Sequence, residues 1–116
     1  MPNRGEVWLA DLDHRRGTEP GKTRPVIVIQ SQALLDATHP STVIIPLTTN
    51  VVADAEPLRI RVPASGGLHR DSDLLIDQLR AIDNRRLIQG PIDRLPNSLM
   101  AKVAEAIREI LDIVED

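Results

Sequence analysis

The sequence predicts a mainly β domain, a small, mostly antiparallel β-barrel of about five short strands with one C-terminal α-helix packed on it. Three observations carry that expectation. Leu58-Arg59-Ile60-Arg61-Val62 alternates apolar and charged residues with period two, as a strand with one solvated face requires. Val26-Ile27-Val28-Ile29 is an unbroken β-branched run, the composition of a strand buried on both faces. From about Pro96 the period changes, and Leu99, Val103, Ile107, Ile110 and Val114 recur at spacings of three and four, the stripe of an amphipathic helix.

Along the chain, Glu6 to Leu12 reads as a first strand, with Val7, Leu9 and Asp11 on one face. A loop over residues 13–24 follows. Pro25 opens the central strand 26–29, since proline is tolerated at a strand's first position. Leu34-Leu35 suggests one short helical turn, and Thr42 to Leu47 a further strand in which Pro46 marks a bulge or an unpaired position. In 58–62, Leu58, Ile60 and Val62 should face the core while Arg59 and Arg61 face out. Asp73 to Ile82 is long enough for one strand before a turn at Asp83-Asn84, and Gly90-Pro91 marks a break before Ile92. Pro96, Asn97 or Ser98 can open the final helix.

The 116 residues fit one domain, residues 1–116, with a single core. Apolar content is 41%, but Trp8 is the only aromatic residue, so the core is aliphatic and no row of aromatic rings is available for stacked bases. The absence of cysteine removes disulfides, thiolate ligands and thiol nucleophiles. Met1-Pro2-Asn3-Arg4-Gly5 lacks the apolar stretch of a signal peptide, and no run approaches the ~18 apolar residues of a membrane span. A cytoplasmic protein without membrane contact is expected.

Net charge is -3, which argues against long, non-specific tracking along nucleic acid. Its distribution is uneven. Arg15, Arg16, Lys22 and Arg24 against Glu19 make a local surplus of +3 and leave -6 for the rest of the chain. A basic patch on an acidic body suits a short contact with a polyanion. That patch spans residues 14–24, where a glycine-rich loop runs into the rigid run 26–29. A guanidinium and a carboxylate at such a junction can neutralise charge developing on a phosphate and accept a proton. The same residues also fit a solvated hairpin loop.

Other chemistries lack their signatures. His14, His39 and His69 share no ligand spacing. Asp11/Asp13 and Asp71/Asp73 can in principle gather magnesium, but each pair lies at a strand boundary, where aspartate commonly supports turns. No metal site and no cofactor is expected. There is no phosphate-binding GxxxxGK[ST], no GxSxG and no dinucleotide fingerprint.

Five segments together resemble a known family: Arg4-Gly5-Glu6-Val7-Trp8; Gly17-Thr18-Glu19 with Arg24 to Ile29; Ile45-Pro46-Leu47-Thr48-Thr49; Arg70-Asp71-Ser72; and Asp77 to Asp83. In order and spacing they are similar to the MazF/PemK/Kid toxins of bacterial toxin-antitoxin systems. The resemblance implies an SH3-like barrel and a homodimer. It also implies a metal-independent endoribonuclease that cuts single-stranded RNA at short motifs, leaving 2′,3′-cyclic phosphate and 5′-hydroxyl ends. The implied partner is a MazE-like antitoxin whose disordered tail covers the RNA groove.

Carried over residue by residue, Arg24 matches the family's catalytic arginine and Thr48 its catalytic threonine. Glu19, the nearest carboxylate in the matching loop, is the candidate acceptor of the 2′-hydroxyl proton. Lys22, Thr49, Ser72, Gln78 and Arg80 stand in or beside matching stretches as RNA contacts. Each has a structural alternative: Arg24 can pair with an acid at the barrel rim, Thr48 can cap a turn, and Gln78 can close a buried polar pair. Two other activities fit the same resemblance. One is a gyrase-poison toxin of the same fold, and the other is an inactive RNA-binding relative.

Overall fold

The computed structural model describes residues 1–12 and 23–114. Its strands are β1 (Glu6–Asp11), β2 (Thr23–Val28), β3 (Ser41–Thr48), β4 (Arg59–Val62), β5 (Ser72–Leu75), β6 (Arg80–Asp83) and β7 (Leu87–Arg94), with helices α1 (Gln32–Asp36) and α2 (Asn97–Ile110). The antiparallel order is β4-β5-β3-β2-β1-β7, with β6 also paired to β3. Seven strands replace the expected five or so. The sheet does not close by a ladder between β4 and β7, so the barrel is an open one. The β4–β5 connection reaches β7 where the Gly67 amide donates to the Ile92 carbonyl at 2.8 Å.

The β-branched run behaves as its composition requires. Val26, Ile27 and Val28 are wholly buried in a strand flanked on both sides. Ile27 joins Val7, Ile45, Leu47, Ile60, Val62, Leu74 and Ile76 against Met100, Val103 and Ala106 of α2. Val26 points the other way, into a smaller cluster with Ala10, Leu12, Ile44 and Ile82, covered by Trp8 and Leu87. Pro25 is the third residue of β2 rather than its first, and it pairs only with Leu9 of β1, since the β2–β3 ladder runs from Val26 to Val28. Pro46 sits in a comparable gap: β3 pairs with β6 over residues 41–44 and with β5 over 47–48, leaving Pro46 without a ladder partner on that edge.

Several expectations are corrected. The stretch 73–82 is two strands joined by a 3-10 turn, Ile76–Gln78, that bridges the same gap in β3. Ile76 is buried in the core there, and its amide donates to the Leu58 carbonyl at 3.0 Å. Leu58 itself is 51% exposed, one residue before β4 starts. Val114 lies beyond α2 and is exposed, and the buried stripe of that helix is Met100, Val103 and Ala106, with Leu99, Ile107 and Ile110 at its margin.

Gly90-Pro91 does not break the last strand. β7 continues through it as a bulge in which residues 90–92 face Trp8 alone, between the pairs Val7 with Asp93 and Leu9 with Gln89. Proline is tolerated because β7 is an edge. Glycine is required because a Cβ at residue 90 would lie 2.6 Å from Cγ of Trp8 and 2.8 Å from its Cε3. Gly90→Ala is therefore expected to cost about 1–3 kcal/mol by overpacking, read as a lower denaturation midpoint.

The opening Arg4-Gly5-Glu6-Val7-Trp8 is a structural turn. Gly5 takes φ +92, a left-handed conformation that favours glycine. Its amide donates to the Val28 carbonyl and its own carbonyl accepts from the Leu95 amide, both at 2.9 Å. The buried Glu6 carboxylate accepts from the Asn3 amide at 2.7 Å and from the Trp8 indole at 3.2 Å.

Candidate functional site

The face of the sheet that carries Val26 and Ala10 also carries the candidate site. Cross-strand partners point to the same side of a sheet, and the register runs Arg61 with Asp73, Asp73 with Thr48, and Arg24 with Ala10. Continuing the β2–β3 register two residues past its last pair, Val26 with Pro46, brings Arg24 level with Thr48. One row across four strands thus reads Arg61, Asp73, Thr48, Arg24. Two of its members are the residues singled out from the sequence, which lie 24 positions apart in the chain.

Beside this row lies a cleft of about 480 Å³ lined by Leu12, Arg24, Pro46, Leu75, Gln78, Leu79 and Arg80. The aliphatic residues and Pro46 form apolar walls. Arg24 and Arg80 supply positive charge, and Gln78 supplies an amide. Arg24 is half-buried, and among the described residues its guanidinium has no hydrogen-bond or ion-pair partner. A cation whose donors meet no partner among the described residues, facing an open cleft, can take an oxyanion in bidentate fashion. Arg80 is held from behind, its Nη2 donating to the Leu12 carbonyl at 2.7 Å. Gln78 is exposed at the lip, placed there by the 3-10 turn, so it closes no buried polar pair.

Thr48 ends β3, half-buried, and its Oγ1 accepts a hydrogen bond from the Asn50 amide at 3.1 Å. That bond occupies a lone pair and leaves the hydroxyl hydrogen available to an incoming acceptor. Thr49 is exposed next to it. Ser72 is 1% exposed, with its hydroxyl donating to the Arg70 carbonyl at 3.2 Å, so it presents no surface in the single chain. Glu19 and Lys22 lie outside the described residues, as do Asp13 and His14.

From the sequence, Arg59 and Arg61 are expected to face solvent and Asp73 to support a turn. All three belong to one cluster beside Thr48. The Asp73 carboxylate is wholly buried and accepts from Arg61 Nε at 2.6 Å, the Val52 amide at 2.8 Å and Arg59 Nη1 at 3.3 Å. Two cations alternating on a four-residue strand, opposite a neighbouring acid, were the available signal. Asp71 accepts from the Ala64 amide at 2.8 Å, which is the turn-supporting role expected of it. Among the described residues no three His, Cys, Asp or Glu side chains gather as metal ligands.

Burial pushes the Asp73 carboxyl up, while hydrogen bonds from Arg61, the Val52 amide and Arg59 pull it down by more, so it is held below the usual carboxylate range. A depressed folded value stabilises the protein at pH above about 4 and loses that contribution as pH falls toward the folded value. Asp73→Asn is accordingly expected to flatten the acid side of the curve of unfolding midpoint against pH, below about pH 4.

Residues 3–111 match the family described as PemK-like, MazF-like toxin of type II toxin-antitoxin system. Endoribonuclease EndoA of Bacillus subtilis (strain 168) is 34% identical over 113 residues, covering 97% of this chain and 96% of that protein. Endoribonuclease MazF9 of Mycobacterium tuberculosis is 33% identical over 118 residues, covering 97% and 98%. Among solved structures, the Mycobacterium tuberculosis toxin MazF-mt6 superposes with a TM-score of 0.77 at 25% identity, over 95% of this chain and 99% of that one. A MazE-MazF structure from Deinococcus radiodurans shares the fold with a TM-score of 0.79 at 23% identity, over 97% of each chain. No helix among the described residues is long and apolar enough to cross a membrane.

Proposed function

Because the chain belongs to the PemK-like, MazF-like toxin family of type II toxin-antitoxin systems, we propose that it is a toxin endoribonuclease cutting single-stranded RNA at the Arg24–Thr48 row. The observation that carries this reading is the convergence of Arg24 and Thr48 on one row beside a cleft whose other cation is Arg80.

The proposed reaction is transesterification. The 2′-oxygen attacks the adjacent phosphorus, its proton passes to a base, and the bond to the 5′-oxygen breaks, giving a 2′,3′-cyclic phosphate and, once that oxygen is protonated, a 5′-hydroxyl end. Charge grows on the non-bridging oxygens. The Arg24 fork binds two acceptors at once and stays protonated throughout, while the Thr48 hydroxyl adds a neutral hydrogen bond. Glu19 is the proposed proton acceptor. Arg80, Gln78, Thr49 and Lys22 are the proposed contacts to the RNA strand, with the cleft receiving a splayed base. Ser72, buried in the single chain, is assigned no direct contact. None of these steps calls for a metal.

Names among the relatives support an endoribonuclease, and a MazE-MazF complex among the structural neighbours supports an antitoxin partner. A homodimer and a cytoplasmic location belong to the same proposal. Incubating the purified chain with a long single-stranded RNA in excess EDTA and mapping the cuts tests it. Defined cuts with wild type and far slower cutting with Arg24→Ala are expected, and a failure to cut several unrelated RNAs would overturn the reading.

A further inference from the structure

The backbone that follows Thr48 is held by an unusual set of partners. The Asn50 amide donates to Thr48 Oγ1, and the Asn50 carbonyl accepts from Arg59 Nη1 at 3.0 Å. The Val52 amide donates to Asp73 Oδ2, and the Val52 carbonyl accepts from Arg61 Nη2 at 3.4 Å. Each of these bonds ends on Thr48, on Asp73, or on an arginine that Asp73 holds. Val51 and Val52 are meanwhile half-exposed, so no apolar burial pins this stretch.

A wholly buried carboxylate is a poor choice for stability alone. Well-packed apolar residues in place of a buried ion pair are often neutral or stabilising, and residue 73 lies in a strand whose other members are Ser72, Leu74 and Leu75. What the carboxylate adds is direction, because each oxygen accepts from a donor of fixed geometry and those donors reach the loop. Asp73 is also the direct cross-strand neighbour of Thr48.

We infer that Asp73, through Arg59 and Arg61, is a positioning residue for the proposed reaction. It holds residues 50–52, and through them the Thr48 hydroxyl, in the arrangement that cuts RNA and selects the cut site. This inference rests on the endoribonuclease reading above.

The test compares full-length Asp73→Asn and Arg61→Gln with wild type, and uses Lys102→Ala, which breaks the exposed pair with Glu56, as a control. Readouts are hydrogen exchange at the Val52 amide, kcat and KM on an RNA carrying the wild-type preferred site, and the distribution of cuts on a long RNA. Both clamp variants should exchange Val52 faster, lose about tenfold in kcat with KM changed less than twofold, and spread their cuts over more sites. Lys102→Ala should match wild type. Arg61→Gln, altering a side chain 43% exposed, carries the test if Asp73→Asn does not fold. Faster Val52 exchange with wild-type kcat and cut pattern, or unchanged exchange, would overturn the clamp alone. Absence of cutting by wild type would overturn the endoribonuclease reading and the clamp's role with it.

Discussion

Arg24→Ala is expected to lower the rate of RNA cleavage about 100- to 1,000-fold, the usual loss when a preorganised donor to developing phosphate charge is removed. The effect should fall on kcat, because in the proposed reaction the guanidinium meets its strongest acceptor only as charge accumulates in the transition state. Arg24→Lys should recover only part of the loss, since an ammonium supplies charge without the planar fork. Thr48→Ala removes one neutral donor and should cost about tenfold. Single-turnover cleavage separates these values from binding. The fold should survive Arg24→Ala, because among the described residues that side chain supports no other group.

Ile27→Ala is expected to destabilise the protein by about 2–5 kcal/mol. Ile27 is wholly buried near the end of β2, where it joins β1, β3, β4 and β5 residues to α2, so the lost methyl groups leave a cavity that several elements would have to move to fill. Against a total stability of about 5–15 kcal/mol, this is a large fraction. Urea denaturation followed by circular dichroism measures it. At a temperature where the variant remains folded, its cleavage rate should stay near wild type, because Ile27 points away from the face that carries Arg24. The two substitutions therefore separate the site from the core: one removes activity and spares the fold, the other weakens the fold and spares activity.

How far the sequence could be read follows from what is local. The run 26–29, the proline at 96 and the three- and four-residue spacing that follows report on their own backbone, and a strand and a helix form there, although β2 starts at Thr23 and ends at Val28 and α2 stops at Ile110, before Val114. Gly90-Pro91 misleads because glycine there serves tertiary contact with Trp8, a residue some eighty positions away. The 3-10 turn at Ile76–Gln78 is hidden because Leu75-Ile76-Asp77-Gln78-Leu79 contains no glycine or proline, and the bend is imposed by β3 changing partners. Arg24 and Thr48 were legible as motif members. Their alignment with Asp73 and Arg61 was not, since strand register over four segments is fixed by packing and leaves no local mark. The same holds for Leu58, whose place in the alternating pattern suggested burial although β4 begins one residue later.

The proposed nucleophile at the Arg24–Thr48 row is the RNA's own 2′-oxygen. The most direct measurement takes an RNA with one mapped cut site, replaces the 2′-hydroxyl on the 5′ side of that bond with hydrogen, and follows cleavage by wild-type protein in excess EDTA. The all-ribose RNA is expected to yield 2′,3′-cyclic phosphate and 5′-hydroxyl ends, whereas the deoxy-substituted RNA should stay intact at that bond. Cleavage of the substituted RNA at the same position, or products ending in 3′-hydroxyl and 5′-phosphate, would contradict it.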